Sequence, residues 1–112
     1  MSSSKKSSNL ELAQMQNGAA QACKLMKVLA NPDRLMILCQ LSKGELCVGE
    51  IEAQLGIVQP TLSQQLTVLR EEDLVSTRRD GKNIYYQLNS TQALAVIKTL
   101  YKQFCQPGME KT

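Results

Sequence analysis

The chain has 112 residues, of which 43% are hydrophobic and 21% charged, and a formal net charge of +3. That length suits one hydrophobic core and excludes two ordinary domains, and so mild a positive balance does not by itself single out a nucleic-acid partner. Aromatic residues make up only 4%, few for a core that closes alone, so further burial against a second subunit is expected.

No run reaches the roughly eighteen apolar residues of a membrane span. The Ser- and Lys-rich beginning has no signal-peptide core, and the expected location is the cytoplasm. In that reducing compartment the four cysteines are expected to be thiols rather than a standing disulfide framework.

Residues 1–9, MSSSKKSSN, form a polar stretch that cannot offset its own ordering entropy and is expected to be a disordered arm. The folded domain is expected over 10–105, with 106–112 as a flexible tail. From Leu12 to Leu29 apolar residues recur at helical spacing (Leu12, Met15, Ala19, Ala22, Met26, Leu29), with Gly18 as a break point, predicting one broken helix or two short ones. Asn31-Pro32 is a strong helix start, Asn as N-cap and Pro in the first turn. The helix is expected to run to about Lys43, with Gly44 to stop it. Its middle, Leu35 to Leu41, is apolar almost all round and includes Cys39, which predicts burial on several sides.

Val48, Ile51 and Leu55 mark a short amphipathic helix ending at Gly56. A second is expected from Gln59 to about Asp73, with Leu62, Leu66 and Leu69 on its inner face. Two helices joined by so short a Gly-containing turn make a helix-turn-helix. The period then changes to two, with Val75, Thr77 and Arg79 before Asp80-Gly81 and Ile84, Tyr86 and Leu88 after it. Asp-Gly between alternating runs predicts a hairpin with positive φ at both residues. The fold class is therefore mainly α with a small β-hairpin: a winged helix-turn-helix. A last helix, from about Thr91 to Cys105, carries one stripe of Leu94, Ile97, Tyr101 and Phe104 and another of Ala93, Val96 and Leu100. Two stripes predict a homodimer, one face for the core and one for the partner.

On the second helix of the pair, the outward positions Pro60, Thr61, Gln64, Thr67 and Val68, with Ser63 and Gln65 at the margins, are mostly hydroxyl and amide. Such groups read base edges and hold phosphates, although a polar face taken alone is more often a solvated one. The basic cluster Arg78, Arg79 and Lys82 at the wing decides for DNA. Gln59, Pro60, Thr61, Ser63, Gln64, Thr67, Arg78, Arg79 and Lys82 are the candidate contacts to double-stranded DNA.

These features resemble the ArsR/SmtB family of dimeric winged-helix repressors. The resemblance rests on Leu29-Ala30-Asn31-Pro32-Asp33-Arg34-Leu35, on Gln59-Pro60-Thr61-Leu62-Ser63-Gln64-Gln65-Leu66 with Leu69-Arg70, and on Arg79-Asp80-Gly81-Lys82 to Tyr86. The family's common His before the recognition-helix Leu is here Gln65, and its common Gly after that helix is Asp73, a residue that tolerates the left-handed backbone comparatively well. The resemblance implies an inverted-repeat operator.

Many members sense metals, but this chain has no histidine, which excludes a site built on imidazoles from the last helix. Glu45-Leu46-Cys47-Val48 matches the start of the arsenic-sensor motif, yet Gly49 and Glu52 stand at the following ligand positions. No metal site and no cofactor are expected. The residues alone read Cys39 as a small core residue and Cys105 as a bystander at a helix end. Resemblance to the persulfide-responsive BigR/SqrR branch, through Ile37-Leu38-Cys39-Gln40-Leu41 and Gln103-Phe104-Cys105, implies instead that Cys39 and Cys105 are a sensing dithiol. A persulfide or polysulfide inducer would join them by a di- or polysulfide bridge, the longer bridge spanning a gap wider than the ~7 Å limit of a plain disulfide, and release the DNA. Cys23 and Cys47 are expected to be dispensable. The alternatives are a thiophilic metal or metalloid as inducer and a winged-helix protein-interaction module without DNA. An enzyme is not expected, since a Gly-rich phosphate loop and a catalytic acid pair are both lacking.

Overall fold

The computed structural model describes residues 2–105, with side chains from position 9 onward. In chain order the elements are α1 (Ser2–Leu29), α2 (Pro32–Leu41), β1 (Leu46–Cys47), α3 (Val48–Leu55), α4 (Thr61–Glu71), β2 (Val75–Asp80), β3 (Asn83–Leu88) and α5 (Thr91–Phe104). Among the described residues no helix is long and apolar enough to cross a membrane.

α2 is the centre of the domain and packs against α1, α3, α4, α5 and β3. Its start is as expected: the Asn31 side chain accepts from the Arg34 N–H at 3.1 Å, and Pro32 occupies the first turn. Ile37, Leu38 and Leu41 are buried there among Ile51 of α3, Leu62, Leu66 and Leu69 of α4, Val75, Tyr86, and Ala93 and Ile97 of α5. The helix ends at Leu41, two residues short of Lys43, where the pattern tightens: Lys43 and Gly44 turn their N–H groups onto carbonyls three residues back, Gln40 O at 3.1 Å and Leu41 O at 3.2 Å.

The three-stranded sheet has the order β1-β3-β2, antiparallel throughout. Val75↔Leu88, Thr77↔Tyr86 and Arg79↔Ile84 are cross-strand partners, as the alternation predicted. The turn itself differs. Asp80 pairs with Asn83, so the loop is Gly81-Lys82, and only Gly81 takes positive φ (65°). Glycine first in a two-residue loop gives the sign pattern of a II′ turn and leaves Asp80 in the ladder. β1 was not predicted; two residues carry no readable period, and they pair through Leu46↔Tyr86 and Cys47↔Tyr85.

At the N-terminus the backbone is helical from Ser2 and runs unbroken through Gly18, so the break expected there does not occur. Neither Pro nor Gly interrupts residues 2–9, and lengthening an existing helix is far easier than starting one. A single interior glycine costs only about 1 kcal/mol. Nor is the expected apolar stripe of α1 buried: only Val28 and Leu29 enter the core, while Leu12, Met15 and Met26 are exposed. The expected flexible tail, 106–112, lies outside the described residues.

Candidate functional site

α4 is built to present a polar surface. Leu62, Leu66 and Leu69 are fully or nearly buried, and at 3.6 residues per turn the opposite side carries Ser63, Gln64 and Thr67, all exposed. The structure brings the expected helix contacts onto one surface, but not all in the same condition. Pro60 occupies the position just before α4. Gln59 acts as a cap, its Oε1 accepting from the Ser63 N–H at 3.0 Å and from Ser63 Oγ at 2.6 Å. Thr67 Oγ1 donates to Ser63 O at 2.9 Å. Gln64 makes no side-chain hydrogen bond among the described residues and is the best-placed free amide. Thr61 is half-buried, at the margin of this surface. The preceding turn is closed by Gly56 at φ 70°, and the exit by Asp73 at φ 60°, the left-handed position where the family has Gly.

The basic wing is differentiated too. Arg78 pairs with Glu45 through two guanidinium nitrogens, lies 3.8 Å from Asp80 and stacks on the Tyr85 ring at 4.7 Å. This arrangement spans the sheet from β2 across β3 to the residue before β1. It holds the Glu45 carboxyl below the usual carboxylate range, chiefly through the hydrogen bond from Arg78. Arg79 and Lys82 are exposed and form no ion pair among the described residues. The pairing of Glu45 with Arg78 was not predicted from sequence; 33 residues separate the two.

One further guanidinium reaches the recognition helix. Arg34 donates from Nε to Val28 O at 2.8 Å, from Nη2 to Lys27 O at 3.4 Å and from Nη1 to Gln65 Oε1 at 3.0 Å.

Cys39 sits half-buried on α2, and Cys105 caps α5, exposed, with its N–H on Tyr101 O at 2.8 Å. Burial pushes the Cys39 thiol up, a thiolate on Cys105 pushes it further, and Lys43 pulls it down. Lys43 is held for this by the Tyr101 ring at 5.4 Å and by Gln40 Oε1 at 3.3 Å. Cys23 is exposed on α1, because that part of α1 runs beyond the core. Cys47 stands half-buried at the N-cap of α3, its N–H bonded to Glu50 Oε1 at 2.9 Å. Among the described residues no three His, Cys, Asp or Glu side chains group to hold a metal ion.

A helix-turn-helix with a polar outer face and a basic two-stranded wing is the architecture of DNA-binding transcriptional regulators. The family described as bacterial regulatory protein, arsR family, matches residues 31–77. The chain is 50% identical over 98 residues to the biofilm growth-associated repressor of Agrobacterium fabrum, covering 88% of this chain and 84% of that protein. It is 41% identical to the transcriptional activator HlyU of Vibrio cholerae, over 90% and 94% of the two chains. The solved structure of the repressor BigR from Xylella fastidiosa superposes with a TM-score of 0.79 at 48% identity, covering 84% of this chain and 96% of that one. The chain belongs to the arsR family of transcriptional regulators and is not an enzyme.

Proposed function

We propose that this protein is a homodimeric repressor that binds an inverted-repeat operator and releases it when persulfide or polysulfide joins Cys39 to Cys105. The observation carrying this reading is the placement of the two thiols, one on the central helix α2 and one at the end of α5, where a charge on Cys105 raises the Cys39 thiol. Relatives at 50% identity are described as repressors, and a structure of HlyU at 42% identity is of the reduced protein. Gln59, Pro60, Thr61, Ser63, Gln64 and Thr67 form the DNA surface in this reading, with Arg79, Lys82 and, on leaving Glu45, Arg78 on the flanking phosphates.

The two thiols differ in a way that orders the chemistry. Cys105 is exposed and meets the donor first, whereas Cys39 is half-buried and held protonated. With an organic trisulfide, the Cys105 thiolate attacks the central sulfur and expels one small thiolate. The Cys39 thiolate then attacks the same sulfur and expels the second. The balance is one trisulfide and two protein thiols giving a protein trisulfide and two small thiols. Once Cys105 is consumed its charge no longer opposes ionisation of Cys39, so the first step favours the second. The bridge ties α5 to α2 and shifts the dimer between two geometries.

Gel-shift titration tests the reading. Cys39→Ser and Cys105→Ser should bind DNA as the parent does and resist release by trisulfide, while Cys23→Ser and Cys47→Ser respond normally. Mass spectrometry of the treated parent should find the two thiols linked with added sulfur in steps of about 32 Da. Release of both serine variants, or a chelatable metal in place of sulfur, overturns the assignment.

A further inference from the structure

We propose that Arg34 is a positioning residue for DNA reading: through Gln65 it sets the rotation of α4 about its own axis. Leu62, Leu66 and Leu69 seat the helix on the core, but apolar contact is non-directional and tolerates a small roll. A hydrogen bond from the flank of that face does not. Gln65 lies on that flank, half-buried and one residue from exposed Gln64. Among the described residues its bond to Arg34 is the one side-chain hydrogen bond from α4 to another helix.

The guanidinium has no slack at its other end. Nε and Nη2 are fixed on Val28 O and Lys27 O in the last turn of α1. Those carbonyls are orphaned by the helix end, and a cation there also complements the helix dipole. The backbone of Arg34 is in turn held by the Asn31 cap. The planar fork thus refers the orientation of the recognition helix to α1 and α2 together.

Replacing Gln65 leaves the bonds of Arg34 to α1 in place and so separates positioning from folding. The probe is a duplex selected from a random library by the wild-type protein, compared with an unselected duplex of equal length by fluorescence anisotropy. Gln65→Ala should weaken binding to the selected duplex about tenfold, the scale of one hydrogen bond to a charged donor, while binding to the unselected duplex stays unchanged. Gln65→Glu, which keeps an acceptor, should restore the ratio between the two. Gln65→His should bind normally at pH 8 and lose selectivity below about pH 6, where the imidazolium no longer accepts from Arg34. The wild-type chain has no histidine and serves as the flat control. An unchanged ratio in Gln65→Ala, or tighter selected binding by Gln65→His in acid as a merely added positive charge would give, overturns the proposal.

Discussion

Single side chains tune both halves of this molecule. Burial holds Cys39 protonated even once Cys105 has reacted, so its reactive form gains population as pH rises. The rate of bridge closure should therefore climb with pH through and beyond the ordinary thiol range, and stopped-flow loss of free thiol measures it. Lys43→Gln removes the cation that opposes this shift and should slow closure at neutral pH while leaving reduced DNA binding intact. At the wing, Glu45 occupies the cation that a phosphate would use. Glu45→Gln should tighten DNA binding at low salt and steepen the dependence of log affinity on log salt by about 1, the effect of one more phosphate contact. The partners of Lys43 and Glu45 could not be read along the chain. Periodicity reports which face of an element is apolar, not which charge meets it from another element 31 or 33 residues away.

At the level of elements, the most regular segments were the most legible. The Leu62, Leu66 and Leu69 spacing gave α4 and its inner face, Asn31-Pro32 gave the start of α2, and the alternation gave the register of β2 with β3. The errors lie where local signals compete. Asp80 and Lys82 flank the same glycine, and the ladder bond to Asn83 decided for Gly81-Lys82. β1 is too short to show a pattern. The two stripes assigned to α5 also mix, since buried Ala93 and Ile97 come one from each. Gly81 has open space around a would-be Cβ but sits at φ +65°, so Gly81→Val should destabilise the domain by about 1 kcal/mol through backbone strain alone. Thermal melting checks this. Ile97→Ala, which empties a fully buried site, should cost about 2–5 kcal/mol.

The molecule is more elongated than a compact domain of its length. Its radius of gyration is 17.9 Å, against about 13 Å for a compact chain of this length. The excess comes from α1, whose 28 residues reach about 42 Å, and Met15 stands 67% exposed along it. Between α1 and α5 runs a groove of about 400 Å³ lined by Gly18, Ala22, Leu25, Val28 and Val96. In the proposed homodimer, a second copy covering this side would account for the length of α1, the low aromatic content and the unused apolar side chains together. Met15→Asp should shift sedimentation toward monomer and weaken operator binding, with the helix content of the core retained; a dimer surviving unchanged argues for a different interface.

The central position of α2 has a mechanical consequence. Its ten residues form a rod of about 15 Å, with Arg34 toward one end, Cys39 toward the other, and fully buried Ile37 and Leu38 between them. A rod pinned at its middle behaves as a seesaw about that fulcrum. In the proposed switch, a bridge that draws Cys39 toward α5 would lift the fork of Arg34 in the opposite sense and deliver a pull on sulfur as torque on α4.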